Sequence, residues 1–135
     1  MSPVRLVDTN VIVRYLTRDH VKFSLAAKRL FLACERGELT LVLLPSVLAE
    51  SVFVLESFYK HPRGQISQTL STLITSAGVQ IDELAIQIDA LRRYAATKLH
   101  FVDCVIAATA ASMGIAVASF DSGFRNMPDV QIDLD

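Results

Sequence analysis

The sequence predicts an α/β fold built around a short parallel sheet, and two observations support this prediction. Short apolar runs typical of buried strands alternate with longer segments in which apolar residues recur at helical spacing. Acidic residues also stand at points where a predicted strand passes into a helix or a loop, which is where ligands collect in open α/β sheets. The 135 residues, 52% of them hydrophobic, suit a single domain with a substantial core.

The first part of the chain predicts a strand and two helices. Residues 4–7 form a short apolar run, and the polar residues at 9–10 then offer caps for a short helix at 11–16. Apolar residues at helical spacing predict a surface helix at 23–36. Gly37 is expected to end this helix, because glycine readily adopts the left-handed conformation that follows many helix termini.

The middle of the chain predicts a second strand and two further helices. The continuous apolar run at 39–44 is typical of a fully buried strand, and Pro45 then opens a helix at 46–59. Proline, glycine and basic residues at 60–64 mark a break in the pattern. Apolar residues at helical spacing predict another helix after this break, and they are Ile66, Leu70, Leu73 and Ile74.

The last part of the chain repeats the alternation. A short strand at 79–81 precedes a helix at 84–94, and a strongly apolar helix follows at 102–113. Residues 115–119 read as a buried strand, and residues 130–132 read as an edge strand. Strands and helices that alternate in this way favour a parallel sheet with helices on its faces.

The overall charge gives no indication of a polyanionic partner. The chain has 13 Lys and Arg against 14 Asp and Glu, for a net charge of -1, so nucleic-acid binding would need local basic clusters. Cys34 and Cys104 lie in apolar helical patterns and are expected to be reduced core thiols. No signal peptide is visible and no apolar run has the length of a membrane span, so we expect a cytoplasmic protein.

Four acidic residues mark a candidate divalent-metal site. They are Asp8, Glu50, Asp103 and Asp121. Each is flanked by apolar residues that draw it toward buried surface, where a carboxylate is costly unless a cation or hydrogen bonds compensate it. Carboxylate oxygens are hard ligands that favour Mg²⁺ or Mn²⁺.

Each acid also has an explanation that requires no metal. Asp8 and Asp103 stand where aspartate commonly caps a helix. Glu50 could be an exposed helix residue, and Asp121 precedes a Ser-Gly pair typical of turns. The residues taken one at a time leave these alternatives open.

Four segments in chain order resemble the PIN-domain ribonucleases and, in size and motif order, the VapC-type toxins of type II toxin–antitoxin pairs. The segments are residues 6–12, 45–50, 102–108 and 119–124. Each is a weak motif alone, but four in order are fairly specific. The resemblance implies a three-layer PIN-like domain over residues 1–135, with a short parallel sheet flanked by helices. It also implies a metal-dependent endoribonuclease, a homodimer, and an antitoxin partner that blocks the site.

The same resemblance assigns roles to individual residues. It places metal ligation or metal-linked catalysis on the four acids, and supporting polar roles on Asn10 and Ser119. The chain departs from the family at Gly123, which precedes Phe124 where many relatives carry a further acid. Whether the site holds one metal ion or two therefore stays open.

An RNA substrate that approaches an acidic centre needs basic side chains around it. The candidates for phosphate contacts follow the first and last motifs, and they are Arg14, Arg18, Lys22 and Arg125. Ordinary solvated surface is the alternative for each of them. Single-stranded or loop RNA is the expected target, since a base-specific cut needs exposed bases.

Three other functions are alternatives to a nuclease. A receiver domain needs paired acids early and a lysine after a late strand, and no lysine follows residues 115–119. A haloacid-dehalogenase-type phosphatase needs Asp-x-Asp after its first strand, whereas this chain has Asn10 at the second position. The remaining alternative is a catalytically silent PIN-like module that binds RNA or protein.

A homodimer is also expected from the apolar content of two helices. The side chains expected on its surface are Phe53, Leu55, Phe58, Tyr59, Leu70, Leu73 and Ile74.

Overall fold

The structure is a computed structural model that describes residues 3–134, and it contains two compact units. The first unit ends at Asp82 and the second begins at Glu83. The three strands lie in the first unit, whereas each unit has its own helices. The predicted α/β class is confirmed.

A three-stranded parallel sheet organises the first unit. Its strands, in spatial order, are β1 (Val4–Leu6), β2 (Thr40–Val42) and β3 (Val79–Gln80). Hydrogen bonds continue past the strand ends, since Val7 N–H donates to the Val42 carbonyl at 3.1 Å and Leu43 N–H donates to the Gln80 carbonyl at 2.8 Å. The strands predicted at 4–7, 39–44 and 79–81 are confirmed, with somewhat shorter bounds.

Four helices accompany this sheet. They are α1 (Thr9–Thr17), α2 (Val21–Glu35), α3 (Pro45–Ser57) and α4 (Arg63–Ile74). Helix α1 packs against α2 and α3, and α3 packs against α4. The core of this unit includes Ile12, Leu41, Leu48 and Leu70, each at most 1% exposed.

The end of α2 follows the predicted glycine stop. Gly37 has φ 75°, and its N–H donates to the Cys34 carbonyl at 3.1 Å. A second glycine, Gly78, has φ 79°, and a Cβ on it would lie 2.7 Å from the same carbonyl oxygen. The chain therefore needs glycine at Gly78, both for its backbone conformation and for the close approach of α2 just before β3.

The second unit contains α5 (Leu84–Ala96), α6 (Phe101–Met113) and a 3₁₀ helix (Ser122–Asn126). Helices α5 and α6 pack against each other. The buried side chains between them include Leu91 and Tyr94 from α5 and Cys104 from α6. Cys34 and Cys104 are buried thiols, as predicted.

The strands predicted at 115–119 and 130–132 are wrong. Among residues 3–134, these segments form only one parallel bridge, between Val117 and Ile132. Val117 is 6% exposed, whereas Ile115 is 53% exposed, so the apolar run is covered at one point rather than along its length. A run without cover on both faces lacks the burial that a central parallel strand requires.

The predicted dimer surface is wrong for four of its residues. Leu55, Leu70, Leu73 and Ile74 are at most 5% exposed and belong to the core. Phe53 and Phe58 are 67% and 76% exposed, and Tyr59 is half-buried.

Within the described range of the chain, none of the helices combines the length and the apolar character of a membrane span.

Candidate active site

Asp8 and Glu50 follow neighbouring parallel strands of the first unit. Asp8 comes two residues after β1 and caps α1, where its Oδ1 accepts a hydrogen bond from the Val11 N–H at 3.1 Å. Glu50 lies on α3, which begins three residues after β2. Because β1 and β2 run parallel in register, Asp8 and the start of α3 lie at the same edge of the sheet, beyond the carboxyl ends of its strands.

Asp103 and Asp121 line one cavity in the second unit. Its volume is 540 Å³, and its lining also includes Thr97, Lys98, His100, Gly123 and Asn126. Asp103 lies in the first turn of α6, and Asp121 caps the 3₁₀ helix. The structure thus brings two of the four predicted acids, 18 residues apart in sequence, to one concave surface that we call the Asp103–Asp121 cavity.

Local hydrogen bonds fix the turn that carries Asp121. The Asp121 carboxylate accepts a bond from the Gly123 N–H at 2.8 Å through Oδ1. The backbone N–H of Asp121 in turn donates to the Ser119 hydroxyl oxygen at 2.9 Å. Ser119 therefore supports the backbone of Asp121.

A side chain at Gly123 would clash with Leu99. A Cβ at this position would lie 2.4 Å from the Leu99 Cδ2 atom and 3.1 Å from Asp121 Oδ1. Carbon atoms in contact sit about 3.5–4.0 Å apart, so any side chain here would displace its neighbours. Leu99 Cδ2 therefore lies within contact distance of any Cβ at this position.

The expectation that the apolar flanks bury the acids is wrong for three of them. Asp8, Glu50 and Asp121 are exposed, and Asp103 is half-buried. Helix periodicity explains Glu50, because Leu48, Val52 and Leu55 face the core while Glu50 lies on the outer face. Asp8 and Asp121 each cap the N-terminus of a helix, and these helix starts are exposed.

The candidate phosphate contacts have different surroundings. Arg14 donates to Asp19 Oδ1 at 3.0 Å and has a 32% exposed side chain, so it is already engaged in an ion pair. Arg18, Lys22 and Arg125 are exposed. Asn10 lies in the first turn of α1, the helix that Asp8 caps, and also lines a largely apolar cavity of 310 Å³ with residues of α1 and α2.

Sequence reasoning missed Lys98 and His100. Both are exposed residues that line the Asp103–Asp121 cavity. Their only sequence signal is their position, three to five residues before Asp103 in the connection between two helices. The two carboxylates and the Lys98 side chain bring negative and positive charge to one cavity, which suits a cation together with a phosphate.

The donor set of the cavity fits a hard divalent cation. Mg²⁺ usually keeps several waters and is bound by one or two carboxylates together with substrate phosphates, and two carboxylates are what this cavity offers. Among residues 3–134, no group of three or more His, Cys, Asp and Glu side chains is arranged to hold a metal. The residues therefore suit a largely hydrated ion rather than an all-protein cage.

Known proteins are similar to this chain along most of its length. The family model for the PIN domain matches residues 5–130. A VapC ribonuclease from Aquifex aeolicus (strain VF5) is 26% identical over 125 residues, which is 92% of each chain. Among solved structures, the Mycobacterium tuberculosis toxin VapC20, described as cleaving the sarcin-ricin loop, aligns with a TM-score of 0.43 and 20% identity over 95% of this chain and 98% of its own. VapBC2 from Rickettsia felis, bound to promoter DNA, aligns with a TM-score of 0.38 and 18% identity over 98% of each chain.

Proposed function

Because this chain belongs to the PIN domain family, we propose that it is an endoribonuclease that uses Mg²⁺ or Mn²⁺ to hydrolyse RNA phosphodiester bonds, and that it is the toxin of a toxin–antitoxin pair. The observation that supports this most directly is the shared cavity of Asp103 and Asp121. The similarity to a VapC ribonuclease over 92% of the chain supports the toxin assignment. The PIN domain match over residues 5–130 supports metal-linked roles for Asp8 and Glu50, since it includes both.

The residues that line the cavity have different roles in the proposed reaction. A divalent cation, when bound, supplies an activated water and positive charge for the developing phosphorane. Asp103 and Asp121 would hold this cation, and Ser119 keeps the Asp121 turn in place through its 2.9 Å hydrogen bond. Lys98 lies in the same cavity and would donate to a phosphate oxygen of the RNA.

The other basic residues would guide the RNA chain. Arg18, Lys22 and Arg125 are exposed and would contact phosphates beyond the cleaved bond. Arg14 would have to leave Asp19 before it could do so, and it is therefore the weakest of the predicted contacts. We also propose that the protein acts in the cytoplasm, where RNA substrates are found.

The test is an RNA cleavage assay with metal control. Protein freed of any antitoxin is incubated with total RNA in Mg²⁺, in Mn²⁺ and in chelator, and the ends are mapped. Hydrolysis by water predicts 5′-phosphate and 3′-hydroxyl ends and no cleavage in chelator. Cleavage that persists in chelator, or that leaves cyclic phosphates, would contradict the proposal.

A matched pair of variants connects the activity to the cavity. Asp121→Asn removes a carboxylate charge from the cavity while keeping its shape, and we expect activity to fall about 10²-fold or more. Asp133→Asn makes the same change at an exposed aspartate of the same unit and should leave activity intact. Equal activity of the two variants would remove Asp121 from the site.

The alternative function is a silent PIN-like module that binds RNA or protein. A metal that binds only the folded protein raises the melting temperature by an amount that grows with metal concentration. We expect such a shift with Mg²⁺ or Mn²⁺ for the wild-type protein and a smaller one for Asp121→Asn. No shift in a metal-free sample, together with no cleavage, would favour the binding module.

The proposed partners are an antitoxin and a second copy of the chain. Phe53 and Phe58 are the exposed aromatic residues of the expected dimer surface. Light scattering at micromolar concentration should give twice the mass of one chain. Phe53→Ser should lower the measured mass toward that of a single chain. A wild-type monomer would refute the dimer and leave the nuclease proposal in place.

A further inference from the structure

Arg93 is the one buried charged side chain among the described residues of this chain, with its side chain 7% exposed. It lies on α5, one turn before Ala96 and Thr97, which line the Asp103–Asp121 cavity. Burying a guanidinium costs free energy unless its N–H groups are hydrogen-bonded, so the partners of Arg93 indicate its role.

The partners of Arg93 come from its own helix and from the segment after the 3₁₀ helix. Its Nε donates to Asp89 Oδ2 at 2.9 Å, and one NH group donates to Asp129 Oδ1 at 3.0 Å. The other NH group bonds to the second oxygen of Asp129, so the pair is bidentate. The guanidinium also approaches the Met127 Sδ atom, at 3.5 Å.

These contacts join two sides of the Asp103–Asp121 cavity. One side is the end of α5 with Thr97 and Lys98, and the other is the 3₁₀ helix with Asp121 before it and Asn126 at its end. Met127 and Asp129 follow directly after Asn126, and Val130 N–H closes a turn onto the Met127 carbonyl at 3.1 Å. A bidentate pair to Asp129 therefore fixes the 3₁₀ helix relative to α5.

We propose that Arg93 is a positioning residue: by holding the Met127–Asp129 turn against α5, it keeps the Asp121 carboxylate at the cavity. This inference builds on the proposed nuclease function, but the geometry on which it rests lies entirely in the second unit. The hydrogen bond to Asp129 raises the pKa of Arg93, and the same contact lowers the pKa of Asp129, so the pair stays charged at neutral pH.

Two variants break the contact and a third serves as a control. Arg93→Met removes the guanidinium and fills the buried space with an apolar side chain. Asp129→Asn keeps the shape of a 55% exposed partner and removes its charge, so the protein should fold even if Arg93→Met does not. Arg92→Met removes the neighbouring 68% exposed arginine, which pairs with Asp89 on the same helix.

The readout is amide hydrogen exchange of the metal-free protein, measured by NMR. The Gly123 N–H reports the turn directly, because it donates to Asp121 Oδ1 at 2.8 Å. We expect its exchange to accelerate about 10-fold or more in Arg93→Met and Asp129→Asn, while the amides of α6 keep their protection and Arg92→Met resembles wild type. Unchanged Gly123 exchange in both variants would overturn the proposal, and so would an equal acceleration across α6, which would indicate general destabilisation.

Kinetics of RNA cleavage give the second readout. A displaced Asp121 should lower kcat about 10-fold in Asp129→Asn and leave KM for RNA within about twofold, since the variant removes no predicted RNA contact. A KM change with unaltered kcat would contradict positioning. If the wild-type protein cuts no RNA, the nuclease proposal fails, whereas the exchange experiment still decides the role of Arg93.

Discussion

Replacing Gly123 by alanine tests how closely the turn of Asp121 fits against Leu99. The added Cβ would lie 2.4 Å from Leu99 Cδ2, more than about 1 Å inside the contact distance of carbon atoms. Leu99 is 9% exposed but borders the Asp103–Asp121 cavity, so its side chain can shift and the overpacking should cost about 1–2 kcal/mol. Gly123 has no positive φ, and the stiffer unfolded chain should return about 0.4–1 kcal/mol.

The expected net effect is a loss of about 1 kcal/mol in the free energy of unfolding, or about 3–6 °C in Tm for a chain of this size. Thermal unfolding followed by circular dichroism measures it. The new Cβ also stands 3.1 Å from Asp121 Oδ1, so RNA cleavage should fall further than the stability loss explains.

A double-mutant cycle isolates the steric cause. In a Leu99→Ala background the space next to Gly123 is empty, so Gly123→Ala should cost nothing there. The coupling free energy should then be about 1–2 kcal/mol. Additivity of the two changes within about 0.3 kcal/mol, or a Gly123→Ala protein as stable as wild type, would refute the argument that Leu99 excludes a side chain at this position.

The remaining predictions concern the first unit. Gly78→Ala should lower the unfolding free energy by about 2–4 kcal/mol, because the new Cβ would lie 2.7 Å from the Cys34 carbonyl oxygen and φ is 79°. Gly37→Ala has a similar φ of 75° but open space around it, so it should cost only about 1 kcal/mol. Equal losses for the two variants in urea unfolding would contradict the clash at Gly78. The hydrogen bond from Tyr59, followed by those from Thr17 and Arg14, lowers the pKa of Asp19 to about 2. The Asp19 carboxylate therefore stabilises the folded protein at pH values above its ordinary pKa, and this stabilisation is lost as the pH falls toward 2. Asp19→Asn should flatten that part of the stability–pH curve, and an unchanged curve would show that the contact does not matter in solution. Asp8→Asn should abolish RNA cleavage, by about 10²-fold or more, at unchanged Tm, since asparagine caps helices as well as aspartate does; a loss of Tm in step with activity would indicate a structural role alone.

The helices and the three parallel strands could be predicted because each has a local cause. Apolar periodicity, Pro45 at a helix start and Gly37 after a helix end act within a few residues. The strand expected at 115–119 had an equally apolar sequence, but a strand exists only where partners pair with it along its length. Its single bridge to Ile132 depends on contacts that composition does not encode.

The sequence predicts acids for the candidate site, but it does not predict the residues around them. Motif order identified Asp103 and Asp121, which share a cavity, whereas Lys98 and His100 carry no motif of their own. The fit of Gly123 against Leu99 and the role of Arg93 depend on packing between α5, α6 and the 3₁₀ helix. Such packing is a property of tertiary structure, and a single sequence does not show it.

Helix capping and metal binding were opposed explanations for these aspartates, but the geometry makes them compatible. Asp8 and Asp121 each use Oδ1 to accept a backbone N–H at the start of a helix, at 3.1 Å and 2.8 Å. A carboxylate has about four acceptor sites, so one such bond leaves capacity for a cation. The bond also fixes the side-chain torsions before a metal binds, so metal binding loses less conformational entropy. The positive end of the helix opposes the cation, however, so a capped aspartate gains orientation at some loss of affinity. Asparagine keeps the capping oxygen and lacks the charge, and it therefore separates the two roles at each of these positions.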